Sequence, residues 1–238
     1  MTTVVVKIGT SSLTNERGHL DQTAIDRVSS GIAVLRRSGH EVILVSSGAI
    51  AAGLPHLGLD ATHRPSDAVT LQAASSVGQP LLYRTWDAAF ATHDLNAGQI
   101  LLAPHNFGER AQYLHARSTL RRLIDFGVVP VINENDAVTD QEIRFGDNDR
   151  IAALVANLID AEVLVLLTDT EGVLTADPRA DPSASLIEEI VEFDHQLEAV
   201  VAGTGSVRGS GGMASKLMAA RIAAWSGVRT VIARADRA

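Results

Sequence analysis

The chain has 20 basic residues, of which only Lys7 and Lys216 are lysines, and both lie beside glycine and small residues. Lys7 is near the end of the apolar run TVVVKIG, where a buried ammonium group is costly unless an anion pairs with it. Gly9 follows and would let that anion approach the backbone. Lys216 ends the stretch GSGGMASK, whose backbone N–H groups could hold phosphate. Two lysines on opposite sides of one crevice would suit phosphoryl transfer, where charge neutralisation supplies much of the rate.

A structural interpretation of both lysine signals stays open. Lys7 could be an edge-strand lysine whose stem reaches solvent. The stretch before Lys216 does not match the GxxxxGK[ST] phosphate-binding pattern, and many glycine-rich loops are only flexible.

Residues 133–150, NENDAVTDQEIRFGDNDR, contain six carboxylates and three asparagines between two apolar runs. A solvated loop, or the N-cap of the helix that follows, would explain some of them. Neither explains the NEND cluster together with the consecutive Asp147, Asn148 and Asp149. Carboxylates and amides side by side can bind the ammonium and carboxylate groups of an amino acid. The eight histidines show no spacing typical of metal ligands, and no metal-ligating residue is predicted.

Thr168 and Asp169 close another apolar run, EVLVLL. Asp169 could simply cap the next turn of the chain. It could also orient the two lysines or help to hold Mg²⁺ near phosphate groups.

The elements that must position these residues follow from periodicity. Apolar runs predict strands at residues 3–9, 41–48, 97–102, 128–132 and 162–169, and helical spacing predicts helices at 21–38, 67–91, 109–125 and 149–160. Such alternation indicates a parallel sheet covered on both faces. Ligands of these sheets bind beyond the carboxyl ends of the strands. Small, polar or acidic residues stand at four of these ends: 9–12, 46–48, 133–136 and 168–169.

Composition limits the function classes further. A chain of 238 residues and 25.2 kDa can bury a sizeable core as one large or two small domains. The net charge of −8 and the pI of about 5.4 argue against a nucleic-acid surface. The chain has no cysteine, which excludes disulfides and thiolate metal sites. MTTVVVKIG does not resemble a signal peptide and no apolar run reaches bilayer length, so we expect no membrane association and a cytoplasmic location.

Six motifs in order, KIGTSSLT, VSSGAIAAG, INENDAV, FGDND, LLTDTEGVLTADPR and GGMASK, resemble those of glutamate 5-kinases of the amino acid kinase family. The resemblance extends from Lys7 to about residue 233. Aspartate, acetylglutamate, carbamate and UMP kinases share the fold but not the combination of INENDAV, FGDND and SSGAIAAG. The resemblance implies an α/β fold, a three-layer αβα sandwich with a central, mainly parallel sheet.

The same resemblance implies transfer of the γ-phosphate of MgATP to the side-chain carboxylate of L-glutamate, the first step of proline synthesis. Lys7 and Lys216 would stabilise the phosphoryl group, and Asp169 would orient both lysines. The residues implied for glutamate binding are Ser47, Asp136, Asn148 and Asp149. The residues implied for ATP binding are Lys7, Gly9, Thr10, Gly48, Thr168, Asp169, Ser210, Gly211, Gly212, Met213, Ala214, Ser215 and Lys216.

The family resemblance also implies inhibition by proline, assembly into dimers or tetramers, and hand-over of the product to a glutamate-5-semialdehyde dehydrogenase. The chain lacks the C-terminal PUA domain of many members, and we expect residues 1–238 to form one kinase domain that is incomplete at its C-terminus. Two alternatives remain: a kinase for another acidic substrate, such as aspartate or an N-acylated amino acid, and a non-catalytic module that binds ATP or an amino acid.

Overall fold

The computed structural model describes residues 1–138, 147–176, 181, 183–191 and 212–237. Its strands are Thr3–Ile8 (β1), Glu41–Ser46 (β2), Ala97–Leu102 (β3), Val129–Glu134 (β4), Val163–Thr168 (β5) and Arg229–Arg234 (β6). Its α-helices are Thr10–Leu13 (α1), Gln22–Arg37 (α2), Ala49–Gly53 (α3), Ala68–Ala91 (α4), Arg110–Asp125 (α5), Asp147–Leu158 (α6) and Met213–Ala224 (α7). Single 3₁₀ turns occupy Leu54–Leu57, Pro104–Phe107, Asp136–Val138 and Ala235–Arg237.

The six strands form one sheet in the order β3-β4-β2-β1-β5-β6, and every pair of neighbours is parallel. The predicted α/β class with a parallel sheet is therefore confirmed. From β1 the sheet grows toward β2, β4 and β3 on one side and toward β5 and β6 on the other. Ligand crevices of open parallel sheets lie at such a change of direction, beyond the carboxyl ends of the strands.

Alternation along the strands divides the core into two layers. Val4, Val6 and Ile8 pack with α2 and α4 on one face, whereas Val5 faces α5, α6 and α7 on the other. Both faces are lined almost entirely by aliphatic side chains, as expected for a sheet covered on both sides.

Local sequence signals define the helix ends. The Asp21 side chain caps α2 by accepting a hydrogen bond from the Thr23 backbone N–H at 2.9 Å, and Gly39 after the helix has a φ of +84°. At the start of α4, Asp67 accepts from the backbone N–H of Thr70 at 2.8 Å. In both helices the cap satisfies a donor that would otherwise lack a partner in the first turn.

Helices α3 and α4 approach each other at backbone distance. A Cβ atom placed on Gly78 would lie 1.8 Å from the carbonyl oxygen of Ala49, and one on Gly53 would lie 1.9 Å from that of Ala74. Both positions therefore require glycine. Trp86 of α4 connects this helix to the sheet, since its indole N–H donates to the hydroxyl of Ser46 at the end of β2, at 2.8 Å. The close packing fixes α4 over the carboxyl end of β2.

Across the described ranges, no helix is both long enough and apolar enough to cross a bilayer.

Candidate active site

Lys7 points toward the helices that carry the other charged residues. Successive side chains of a strand alternate between faces, so Lys7 lies on the same face of β1 as Val5, against α6 and α7. It is 3% exposed, so the interpretation as a solvent-reaching edge lysine is wrong. β1 is also an interior strand of the sheet, between β2 and β5.

Two ammonium groups meet one carboxylate at this place. Nζ of Lys7 lies 2.5 Å from Oδ1 of Asp149, and Nζ of Lys216 lies 3.4 Å from Oδ2 of the same residue. The Ser215 hydroxyl donates to Oδ2 at 2.6 Å. Asp149 is fully buried in the first turn of α6, where the helix dipole also favours a negative charge.

The charges of this cluster determine its titration. Burial opposes ionisation of Asp149, but the two ammonium groups, with the Ser215 hydroxyl, hold the pKa of this carboxyl below its ordinary value. Burial lowers the pKa of Lys7; Asp149 opposes that shift and the Lys216 ammonium adds to it. Two cations around one anion leave an excess of positive charge. The cluster is therefore suited to a further anion such as a phosphate group.

These contacts correct the assignment of the orienting carboxylate. The sequence assigned it to Asp169, but the carboxylate that contacts both lysines is that of Asp149. Asp169 is exposed at the end of β5, and its carboxylate accepts a hydrogen bond from the Thr168 hydroxyl at 3.1 Å. Asp149 was expected to bind substrate, yet its oxygens already meet two ammonium groups and a hydroxyl. Contact of Thr168 and Asp169 with a nucleotide stays a prediction.

A chain of amides leads from α4 to Ser47. The Asn133 amide donates to the Gln79 side chain at 2.7 Å and accepts from Asn148 at 2.9 Å. Asn148 also donates to the Ser47 hydroxyl at 3.0 Å and accepts from the Glu134 backbone N–H at 3.2 Å. Both amide hydrogens of Asn148 are thus engaged, one of them with the Ser47 hydroxyl oxygen. The contacts of Asn148 are those of a group that positions Ser47, and direct binding of a substrate by Asn148 stays a prediction.

Asp136 lies next to this network in the turn after β4. Its Oδ2 accepts a hydrogen bond from the Ser75 hydroxyl of α4 at 2.6 Å. Burial raises the pKa of Asp136, and Ser75 and the Arg64 guanidinium partly offset that shift. Burial also lowers the pKa of Arg64, to about 10. Asp136 is therefore a largely buried carboxyl group whose charge a hydroxyl and a guanidinium group partly stabilise. Its contact with a substrate stays a prediction.

Glycines keep the backbone open beside Lys7 and Ser47. A Cβ on Gly9 would lie 3.4 Å from Nζ of Lys7, in the space next to the ammonium group. Gly48 has a φ of +112°, which other residues rarely adopt. Thr10 begins α1 directly after Gly9.

Helix α7 delivers Lys216 to the cluster. Gly212 is its N-cap and Met213, Ala214, Ser215 and Lys216 form its first turn, so the positive end of the helix dipole lies beside Lys216. The predicted residues Ser210 and Gly211, and residues 139–146 of the acidic segment, lie outside the described residues.

Sequence reasoning did not find Ser75, Gln79 or Arg64. A signal was present for two of them, because Ser75 and Gln79 are four residues apart and therefore share one face of α4. That face is otherwise apolar and buried. Polar residues on the buried face of a helix indicate contact with a polar site. No comparable signal marks Arg64, which precedes α4 in an irregular segment.

Together these side chains form two groups that differ in charge. Lys7, Lys216 and the α7 N-terminus supply positive charge for phosphate groups, and Ser47, Asn148 and Asp136 supply hydroxyl, amide and carboxylate groups for a small polar molecule. The two parts adjoin, since Asn148 and Asp149 are consecutive residues of α6. Such an arrangement suits an anionic ligand next to a small polar one.

Comparison with known proteins agrees with this geometry. Residues 2–234 match the amino acid kinase family. The chain is 52% identical to the glutamate 5-kinase of Pseudomonas putida (strain W619) over 228 residues, 53% identical to that of Stutzerimonas stutzeri (strain A1501) over 228, and 50% identical to that of Paraburkholderia phymatum over 230. These matches cover 96% or 97% of this chain, which spans 61% of the length of each relative.

Solved structures resemble the fold at low sequence identity. The carbamate kinase of Giardia lamblia bound to AMP-PNP superimposes with a TM-score of 0.68 at 17% identity, over 100% of this chain and 94% of that one. The UMP kinase of Bacillus anthracis gives 0.63 at 15% identity, over 99% and 88%.

Proposed function

Since this chain belongs to the amino acid kinase family, we propose that it transfers the γ-phosphoryl group of ATP to the side-chain carboxylate of L-glutamate. The product is L-glutamyl 5-phosphate. The observation that carries the proposal is the cluster of Lys7, Asp149 and Lys216, which Asn148, the residue before Asp149, joins to Ser47. The similarity to glutamate 5-kinases over nearly the whole chain supports the choice of acceptor.

The reaction forms a bond between a γ-carboxylate oxygen of glutamate and the γ-phosphorus. It breaks the bond from that phosphorus to the bridging oxygen, whose electron pair leaves with ADP. Negative charge on the equatorial phosphoryl oxygens and on the leaving oxygen must be neutralised as the group moves. Lys7 and Lys216 lie on two sides of Asp149, which keeps both ammonium groups in place before substrate arrives.

The acceptor site explains the use of an amino acid. The Asp136 carboxylate would bind the glutamate ammonium group. The Ser47 hydroxyl, whose oxygen accepts a hydrogen bond from Asn148, would donate to a substrate oxygen. The triphosphate would lie along Gly9, Gly48 and the first turn of α7, where glycine leaves room at the backbone.

Within the described ranges, no group of three or more histidine or acidic side chains is placed to hold a metal ion. We propose that Mg²⁺ arrives bound to the phosphates of ATP, since Mg²⁺ commonly takes few protein ligands at such sites. Bound Mg²⁺ would neutralise phosphate charge, and Asp169, an exposed carboxylate, is the predicted residue that could help to hold it.

The remaining expectations rest on family resemblance. We propose a cytoplasmic enzyme that proline inhibits, that assembles into a dimer or tetramer, and that passes its product to a glutamate-5-semialdehyde dehydrogenase. We further propose that residues 1–238 belong to one kinase domain.

The test is ATP turnover by the 238-residue chain with and without L-glutamate, with hydroxylamine present to trap the acyl phosphate as a hydroxamate. We expect glutamate-dependent hydroxamate and little product with L-aspartate or N-acetyl-L-glutamate. Greater turnover with either of those compounds would identify that compound, instead of glutamate, as the acceptor. Binding of ATP and glutamate without any turnover would favour a binding module.

A further inference from the structure

We infer that Ser75 is a positioning residue for acceptor binding: its hydroxyl fixes the Asp136 carboxylate in the orientation that receives the ammonium group of the amino acid. The inference rests on the proposed function, because it assigns Asp136 to the ammonium group. It extends the site by a helix that the sequence motifs do not include.

The contact joins two separate elements. Ser75 lies in the middle of α4 and is 4% exposed, whereas Asp136 begins the 3₁₀ turn that follows β4. The distance of 2.6 Å from the serine oxygen to Oδ2 is short, as is typical of a hydroxyl that donates to an ionised carboxylate. α4 is in turn fixed by its backbone contact with α3 and by Trp86, so it provides a rigid support for Asp136.

Asp136 needs such support because its surroundings disfavour the charge. Burial raises the pKa of its carboxyl, while Ser75 and Arg64 act in the opposite direction. Arg64 is the charged group that acts on Asp136 from the segment before α4, and α4 itself contributes the neutral Ser75. Loss of the hydroxyl would leave one carboxylate oxygen without its donor and would favour the protonated form, which cannot attract an ammonium group.

A residue that acts through Asp136 affects binding and not the chemical step. Ser75→Ala should raise the KM for glutamate about tenfold with kcat changed less than about twofold, the size expected for a lost hydrogen bond to a charged group. The acid limb of kcat/KM for glutamate should move to higher pH by about one unit. A shift of one pKa unit corresponds to the same free energy as a tenfold change in KM. The KM for ATP should stay the same.

Ser76→Ala is the matched control. Ser76 is the next residue of α4, it is exposed, and its hydroxyl donates within the helix to the Gln72 carbonyl at 2.9 Å. This variant should keep the wild-type KM and pH profile. A second comparison introduces Ser75→Ala into the Asp136→Asn variant. There it should change kcat/KM by less than about twofold, because the carboxylate that Ser75 positions is no longer present.

Glutamate kinetics of the wild-type chain distinguish failure of the proposed function from failure of the role assigned to Ser75. Absence of glutamate-dependent turnover in the wild type refutes the proposed function. Wild-type turnover with an unchanged KM and acid limb in Ser75→Ala refutes the role of Ser75 alone. Equal losses from Ser75→Ala in the wild-type and Asp136→Asn backgrounds also refute it, because they would reflect a general effect on helix packing.

Discussion

Lys7 of β1 and Asp149 of α6 form a buried ion pair in which the ammonium nitrogen lies 2.5 Å from a carboxylate oxygen. The pair joins the interior of the sheet to the first turn of a helix, and Lys216 of α7 completes it from a third element. A single carboxylate thus orders two cations while leaving an excess of positive charge for phosphate. Each of the following predictions tests one consequence of this organisation.

Lys216→Ala should reduce kcat at least about 100-fold, because the ammonium group acts on charge that develops during transfer. Glutamate affinity should change less than about twofold, since the acceptor groups lie on other elements. Hydroxamate formation measures the first and isothermal calorimetry the second. Arg221→Ala, at an exposed position of the same helix, is the control. Loss of glutamate binding in Lys216→Ala would show that this lysine belongs to the acceptor site.

Asp149→Asn should lower the free energy of unfolding by about 3–5 kcal/mol, because it leaves two buried ammonium groups without their carboxylate. The pKa of Asp149 is depressed in the folded state, so its contribution is present above the unfolded-state pKa and is lost as pH falls through the folded-state pKa. The difference between wild type and variant should therefore persist at neutral pH and shrink in acid. Urea unfolding at several pH values measures it.

Asp160→Asn provides the comparison for that experiment. Asp160 pairs with Arg117 at the surface, where an ion pair contributes about 0–1 kcal/mol. Its φ of +55° is a conformation that asparagine tolerates well. Equal destabilisation by the two substitutions would contradict the special role of the buried cluster.

Gly78→Ala should destabilise the chain and reduce activity together. The added Cβ would lie 1.8 Å from the Ala49 carbonyl oxygen, so α3 and α4 must separate, and Ser47 and Gly48 directly precede α3. Overpacking costs about 1–3 kcal/mol, against a gain of up to about 1 kcal/mol from helix propensity. Thermal unfolding and glutamate KM are the measurements. Gly108→Ala, whose nearest neighbour would be 3.6 Å away, should have little effect. A stabilised Gly78→Ala variant would mean that the helices are not held at this distance.

Glutamate affinity should fall in mildly acidic solution through protonation of Asp136. Burial raises the pKa of this carboxyl, so the charged form is lost at a higher pH than for an ordinary aspartate, for which the value is about 3.9. Calorimetric titration of glutamate across pH avoids the ionisation of ATP. Asp136→Asn should bind weakly at neutral pH and should lack this acid dependence. The same pH dependence in wild type and Asp136→Asn would assign it to another group.

The strands, the helices and the parallel pairing of the sheet can be predicted from the sequence. The apolar runs and helical periodicities predict five of the six named strands to within about three residues at either end, and parallel pairing follows from their alternation with helices. Gly9 and Ser47 stand at the carboxyl ends of predicted strands, where a crevice is expected, and the family resemblance implies a place for Asn148 in the same site. These features depend on neighbouring residues only, so sequence is sufficient to predict them.

Tertiary structure decided which polar groups meet. From the sequence, Asp169 is the predicted partner of the lysines and Asp149 is a predicted glutamate-binding residue, because nothing along the chain shows which carboxylate reaches the ammonium groups. The choice depends on the strand order and on the face of β1 that α6 covers, which places Asp149 against Lys7 and leaves Asp169 exposed. The contact of Ser75 with Asp136 likewise depends on the close approach of α3 and α4, which sets where α4 crosses the sheet. The sequence by itself determined the elements and their chemistry, whereas packing between distant segments determined which charges share one site.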